Sequence, residues 1–399
     1  MSVDALTRHV SSDIDPFSSD FLRDPYPFHE QLRELGSVVW LEKWGVWVVA
    51  RYEQVHAVLS DWRTYCSGAG VGIVNQKKLG GWRPPSALLE TDPPEHTANR
   101  AILSRILSPA ALRTLRLTFE KEAESLVEKR VGAGTIEGIA DFAEAYPLKI
   151  FGDAVGVPTE GRRHLIAWGN MVFNGMGPRN ELYDHAMENA EEVTQWITMA
   201  CKRENLTDDG LGAQVYQHVD AGEINADHAA LLVRSFLSAG VDTTTYAIGN
   251  ALVCLAKHPE QWDAIRREPA LLKSVFEELL RFESPFQMFF RTATCDTEID
   301  GVAIREDDKV LVLLAAANRD PRKWRDPNTF DIRRSTTGHL GFGTGIHGCV
   351  GQMIARLEVE VVLSALARHV SRIELVDEPV RQLHNTLRGY ESIPVRFHA

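Results

Sequence analysis

Apolar positions recur along most of this chain at three- and four-residue intervals. From His96 onward the pattern covers 96–107, 109–131, 137–154, 159–174, 181–202, 227–257, 259–267 and 270–282, and it returns from Gln352 to about His369. Such spacing lines one face of a helix with apolar side chains, and a Pro or Gly stands near most of the boundaries. Tyr26–Leu35 reads the same way. Strand character, meaning short β-branched and aromatic runs, is confined to Val38–Leu41 and Val46–Ala50 around Gly45, to 297–304 and 309–313, and to a final hairpin near 384–397. The predicted fold class is mainly α with small β-sheets. Residues 1–20 are polar and broken by Ser, Asp and Pro16, which predicts an N-terminal tail ordered only where something docks it. The stretch Ser67–Pro85 holds five glycines and two prolines and reads as a long irregular loop, a feature usually tied to function. No repeat, low-complexity block or Ser/Gly linker divides residues 21–399, so one domain is expected there.

Composition narrows the function classes. With 399 residues the chain has ample length for a core, and 43 basic against 55 acidic side chains give a net charge of -12. That balance argues against a general nucleic-acid binder, whose affinity comes from neutralising phosphates. The longest apolar run, Val310–Ala317, is far short of the ~20 residues that a membrane helix needs. The N-terminal MSVDALTRHVSS has no apolar signal segment, so a cytoplasmic protein without membrane or nucleic-acid partners is expected. Cys66, Cys201, Cys254, Cys295 and Cys349 are odd in number, far apart and free of any CxxC pair. Neither a disulfide framework nor a zinc ribbon is signalled.

One cysteine stands apart. Cys349 lies in Phe342-Gly343-Thr344-Gly345-Ile346-His347-Gly348-Cys349-Val350-Gly351, just ahead of the helical run from Gln352. A thiol at a helix start has its charged form favoured by unpaired N–H groups and the macrodipole, and flanking glycines let those groups approach the sulfur. Such a sulfur suits a metal. A second grouping, Ala239-Gly240-Val241-Asp242-Thr243-Thr244, sets an acid beside an alcohol inside the 227–257 run. A hydroxyl backed by a carboxylate relays protons into a site otherwise kept dry.

These segments resemble the motifs of the haem-thiolate monooxygenases, the cytochrome P-450 family. The cysteine loop matches the family's Phe-Gly-x-Gly-x-His-x-Cys-x-Gly at every defined position. Glu278 and Arg281 resemble its Glu-x-x-Arg pair, and Asn318–Pro321 with Trp324–Pro327 and Phe330 look like the segment preceding the cysteine loop. The resemblance therefore spans nearly the whole chain. It implies the single-domain cytochrome P-450 fold and heme b (iron protoporphyrin IX) with Cys349 as the metal ligand and Phe342 in the cofactor loop. It also implies oxygen activation by Asp242 and Thr243, with Gly240 leaving room for oxygen. Propionate partners are implied at His96, Arg100, Arg291 and His347, because a buried carboxylate demands a cation or a hydrogen-bond donor. No flavin or iron–sulfur motif appears, so an iron–sulfur ferredoxin with an NAD(P)H-linked ferredoxin reductase is implied; Arg63, Arg105 and Arg356 are candidates for its docking face.

Two unusual residues bear on the substrate. Arg234 and Ser235 interrupt the apolar run 231–237, and positions 235, 239 and 242–243 fall on one broad stripe. At a rise of ~1.5 Å per residue, Ser235 stands roughly 12 Å along the helix from Thr243, a span that suits one benzene ring and a small substituent. Arg83 and Ser86 of the long loop are expected to close over the same end and bind a carboxylate. Leu89, Phe173, Met176, Ala239, Phe286, Met288 and Phe289 are expected to supply apolar walls. The set is similar to a bacterial P-450 subfamily that demethylates 4-methoxybenzoate, a likeness also carried by Trp82–Ser86, Asp141–Pro147, Val172–Asn174, Leu231–Ser235, Phe282–Pro285 and Asn385–Gly389. Phe286 and Met176 depart from it, standing where a smaller aliphatic residue and a phenylalanine are expected. The resemblance implies a monooxygenase that uses O2 to O-demethylate or hydroxylate the para end of small aromatic carboxylic acids. The alternatives are a bulkier terpenoid or macrolide substrate, a peroxide-driven reaction, or haem binding without turnover.

Overall fold

The computed structural model describes residues 10–399. Its helices include the expected Tyr26–Leu35, Glu95–Ile106, Pro109–Arg130 and Gln352–His369, the last packed along Pro109–Arg130. No helix among the described residues is long and apolar enough to cross a membrane. The tail expected over 1–20 is docked from residue 10. Ser11–Ser12 runs parallel to Trp40–Leu41, and Phe17 packs against Trp44 and Phe290. Residues 1–9 lie outside the described residues.

A six-stranded sheet forms one wall of the interior, in the order Ser11–Ser12, Val39–Leu41, Val46–Val49, Lys309–Leu313, Met288–Ala293, Tyr65–Cys66. Met288–Ala293 is a strand that the apolar pattern alone did not separate from its surroundings. Its register pairs Phe289 with Val312 and Arg291 with Val310. Because side chains alternate across a strand, Phe289 and Val312 join the main core while Met288 and Phe290 face a second cluster with Phe21 and Leu32. Met288, expected on the substrate wall, therefore points to the opposite face of the sheet.

Other expectations need correction. The 227–257 run is two helices, Ala226–Ala239 and Asp242–Lys257. The break falls at Gly240-Val241, where a side chain at 240 would overlap the Phe151 ring. Gly240 thus admits a neighbouring helix to close contact, and it also lines the cavity. The 137–154 run is a strand (Thr135–Glu137), a π-helical turn (Ile139–Ala143) and a helix (Ala145–Val155). The 181–202 run divides into Glu181–Ala186 and Ala190–Ala200, and Leu211–Asp220 is a further helix. The terminal hairpin does not form. Gly389–Ser392 pairs with Val380–Gln382, whereas Pro394–His398 lies between Arg372–Leu375 and Thr135–Glu137. The long loop contains one helical turn, Gln76–Leu79.

Glu278 and Arg281 carry the fold around the cysteine loop. Both side chains are fully buried and joined by two 2.7 Å hydrogen bonds. Arg281 also donates to the carbonyls of Asn318, Pro327 and Thr329, and Glu278 accepts from Asp331 N. Asn318 in turn accepts from Leu340 N at the mouth of the cysteine loop (2.7 Å). A buried ion pair is costly unless its remaining groups are satisfied, and here they are.

Candidate active site

One cavity gathers residues from six distant segments. It is lined by Cys349 and its loop, by Ser235, Ala239 and Thr243 on the broken helix pair, by Arg83, Ser86 and Leu89 of the long loop, by Phe173 and Met176, and by Phe286, Phe289 and Arg291 of the sheet region. His96, Arg100, Arg234, Phe342 and His347 also reach it. Of the site residues named from sequence, Asp242 does not line the wall.

Cys349 lies three residues ahead of the Gln352–His369 helix, and its N–H donates to Phe342 O (2.9 Å). Burial pushes its thiol up, opposed by the Gly351 N–H and by the charges of Arg100 and Arg356. The Gly351 N–H favours the thiolate as expected of the helix start, and a coordinated cation deprotonates such a thiol outright. Phe342 is held edge-on by Phe276, with the Arg356 guanidinium 4.6 Å from its ring. Arg356, one of the expected docking cations, is instead engaged by Glu277 and Gln352.

Beside Cys349 a set of donors converges without a matching set of acceptors. His96 and His347 lie with ring centroids 4.2 Å apart, and the Nε2 atom of each is buried with no hydrogen-bond partner among the described residues. His347 Nε2 is 3.8 Å from Asp92, whose carboxylate is occupied by Ser67 N and Gly68 N. Burial and the charge of His347 bring His96 down to about 4. Arg291 is fully enclosed, donates to Phe290 O (3.2 Å), stacks 4.5 Å over the Phe289 ring and is pulled by burial to about 10.

The acid and the alcohol diverge at the helix break. Thr243 Oγ1 faces the cavity and donates to Ala239 O (2.9 Å). The Asp242 carboxyl points the other way, against Gly169, and is held well above its ordinary range by burial and by the charge of Glu144. One further group escaped the sequence reading. Glu358 lines the cavity from the Gln352–His369 helix, and burial pushes it up to about 8, so its carboxyl is protonated at neutral pH; Thr244 lies beside it. An acid between Leu357 and Val359 on the buried face of this helix was the available signal.

At the far end the polar groups are Arg83, Ser86, Arg234 and Ser235. Arg83 forms a buried ion pair with Glu90 (2.8 Å), and Arg83 Nε is buried without a partner. Arg234 donates to the carbonyls of Pro84 and Pro85 (3.0 and 2.9 Å), fastening the loop to the helix. Ser86 Oγ caps Leu88 N and Leu89 N, and Ser235 Oγ donates to Leu231 O. Between the two ends, Phe286 stacks on Phe289 (5.3 Å, 8°) and meets Phe173 edge-on (5.6 Å). Trp82 closes the loop against Trp168 (5.5 Å, 65°).

A model of the cytochrome P-450 family matches residues 171–386. Cytochrome p450 CYP199A2 of Rhodopseudomonas palustris is 50% identical over 96% of this chain and 93% of its own length. The chain belongs to the cytochrome P-450 family. The 6-deoxyerythronolide B hydroxylase of Saccharopolyspora erythraea is 32% identical over 95% of this chain and 98% of its own. Among solved structures, cytochrome P-450 CREJ in complex with (4-ethylphenyl) dihydrogen phosphate superposes with a TM-score of 0.85 at 28% identity, covering 96% of this chain and 100% of that one. As a P-450, the protein is an O2-dependent oxidoreductase with a haem cofactor. The cavity fits that group: it is lined by one cysteine, Cys349, by two imidazoles whose Nε2 atoms have no hydrogen-bond partner among the described residues, and by the guanidiniums of Arg100 and Arg291, donors that match the two propionate carboxylates of a haem.

Proposed function

We propose that this P-450 oxidises the para end of small aromatic carboxylic acids, O-demethylating compounds such as 4-methoxybenzoate or hydroxylating their relatives. The observation that carries this reading is the pair of guanidiniums, Arg83 and Arg234, at one end of a cavity whose middle is walled by Phe173, Phe286 and Phe289. An apolar slot with one cationic end selects a flat ring bearing one acid.

Cys349 would ligate the haem iron, with Arg100, Arg291, His96 and His347 on its propionates. When bound, the haem supplies the activated oxygen, and electrons reach it singly. The protein's own work is positioning and proton supply. Arg83, Arg234 and Ser86 hold the carboxylate, and Ser235 adds a donor once its hydroxyl turns from Leu231 O, so the ring lies along the aromatic wall with its para group toward Cys349. Thr243 presents a hydroxyl whose lone pairs are free to accept, since its proton is spent on Ala239 O. Asp242, its carboxyl raised by burial and turned from the cavity against Gly169, would have to swing toward Thr243 to resupply a proton. For a methoxy substrate the balance is ArOCH3 + O2 + NAD(P)H + H+ giving ArOH, formaldehyde, water and NAD(P)+. The nicotinamide acts through a separate ferredoxin reductase and an iron–sulfur ferredoxin, in the cytoplasm. Arg63 and Arg105, both exposed, remain candidates for the docking face.

The test is a reconstituted assay with ferredoxin, reductase and NAD(P)H. 4-Methoxybenzoate should yield 4-hydroxybenzoate and formaldehyde in equal amounts, and peroxide alone should not replace the electron chain. Failure to oxidise any para-substituted benzoate, with turnover of a macrolactone instead, would overturn the reading.

A further inference from the structure

The cationic end of the cavity carries its own internal counter-ion. Glu90 does not line the cavity, yet its side chain is only 2% exposed and every contact it makes serves the loop that does. Its Oε2 accepts from Arg83 Nη1 (2.8 Å) and Ser86 N (2.7 Å), and its Oε1 accepts from Gln76 Nε2 (3.0 Å). Arg234, by contrast, bonds to the neutral carbonyls of Pro84 and Pro85 and has no carboxylate in an ion pair among the described residues. Burial and the charge of Arg83 bring it down to about 10, against the weaker opposing pull of Glu90. The Cys201 thiol nearby stays neutral, pushed up to about 12 by burial. Lys309, the next cation, is off the cavity wall with its Nζ on Gly70 O. Of the two guanidiniums on the wall, Arg83 alone is ion-paired to Glu90, and Arg234 is left without a carboxylate ion-pair partner among the described residues.

We infer that Glu90 determines the charge class of the substrate: by neutralising one of the two guanidiniums it matches the site to one negative charge and mismatches it to two. The inference rests on the aromatic-acid reading above. A dianion placed there would leave an excess charge away from water, where uncompensated charge is expensive. Removing the charge of Glu90 makes the end suit a dianion. Glu90 touches no substrate; it is a positioning residue that also sets the charge balance.

The experiment is calorimetric titration of the full-length, haem-loaded protein with 4-methoxybenzoate, 4-methoxyphenyl phosphate and uncharged 4-methoxybenzyl alcohol. At about pH 8 the phosphate ester is doubly charged, because its second pKa is about 6. Wild type should bind the benzoate at least about tenfold tighter than the phosphate. Glu90→Gln should shift that ratio about tenfold toward the phosphate, and Glu90→Asp, which keeps the charge, should retain the wild-type order. A second arm needs no variant: near pH 5, where the ester is mostly singly charged, the gap in wild type should close while benzoate affinity holds. A ratio unchanged in Glu90→Gln, with both ligands weakened alike, would reduce Glu90 to a loop support. If that variant fails to take up haem, a wild-type gap that is equal at both pH values overturns the inference. Alcohol binding as tight as benzoate binding would overturn the aromatic-acid reading itself, a distinct result.

Discussion

The Asp242 carboxyl occupies the space that a side chain at residue 169 would need, so Gly169 and Asp242 are sterically matched across two helices. Gly169→Ala forces the acid to move or the helices to part, and overpacking of this kind costs about 1–3 kcal/mol. The expected outcome is a lower melting temperature together with less product per NAD(P)H consumed. Asp242→Asn keeps the shape and loses the acid. It should lower turnover at least about tenfold, within the range that acid–base groups contribute, while leaving substrate affinity unchanged.

Two acids, one half-buried and one buried, give opposite pH dependences. Glu277 is held down at about 2 by His339 and Arg356 against the cost of its burial, below its ordinary 4.5. Its stabilising effect is therefore complete above about pH 4.5 and is lost as pH falls toward 2. Glu358 is raised by burial to about 8 from 4.5, so the folded chain keeps a proton that the unfolded chain releases. That contribution is present below about pH 4.5 and declines as pH rises through 8. Thermal unfolding across pH should show Glu277→Gln losing its deficit against wild type at the acid end. Glu358→Gln should flatten the decline between about pH 5 and 8.

Much of this was legible in the sequence, for identifiable reasons. The helices Tyr26–Leu35 and Gln352–His369 follow from local periodicity, and the cysteine loop from a dense run of fixed residues. What failed depended on distant chain. At the break at Gly240-Val241 the close neighbour is Phe151, about ninety residues away, and the helical period ran through it unmarked. Met288 and Phe289 are equally apolar neighbours, and only strand register decides which of them faces the cavity. The partner of Arg83 is Glu90, a short-range pair, but nothing local distinguishes a buried counter-ion from a solvated acid.

The Phe173–Phe286–Phe289 cluster predicts substrate shape. Phe286→Val removes the ring that stacks on Phe289 and should enlarge the middle of the cavity. The expected result is tighter binding and faster oxidation of benzoates with a bulkier para group relative to 4-methoxybenzoate. An unchanged order of para substituents, compared by kcat/KM, would contradict the assignment of Phe286 to the substrate wall.

Arg291 predicts cofactor retention. It is enclosed, stacked on Phe289 and has no ion-pairing carboxylate among the described residues, so a propionate is its natural partner. Arg291→Gln keeps the hydrogen-bonding shape and removes the charge. Haem content after purification should fall, with the protein still folded by circular dichroism; full haem content would count against Arg291 as a propionate ligand.

The central claim is that a carboxylate anchors the substrate at Arg83 and Arg234 while its far end approaches the haem. A Soret titration of the haem-loaded protein with 4-methoxybenzoate, 4-methoxycinnamate and uncharged 4-methoxybenzyl alcohol tests it most directly, since ligands that displace the iron-bound water shift the band. The account predicts a low-to-high-spin shift with an acid, none with the alcohol at the same concentration, and loss of the acid's shift in Arg83→Ala and Arg234→Ala. No shift with either acid, or an equal shift with the alcohol, would contradict it.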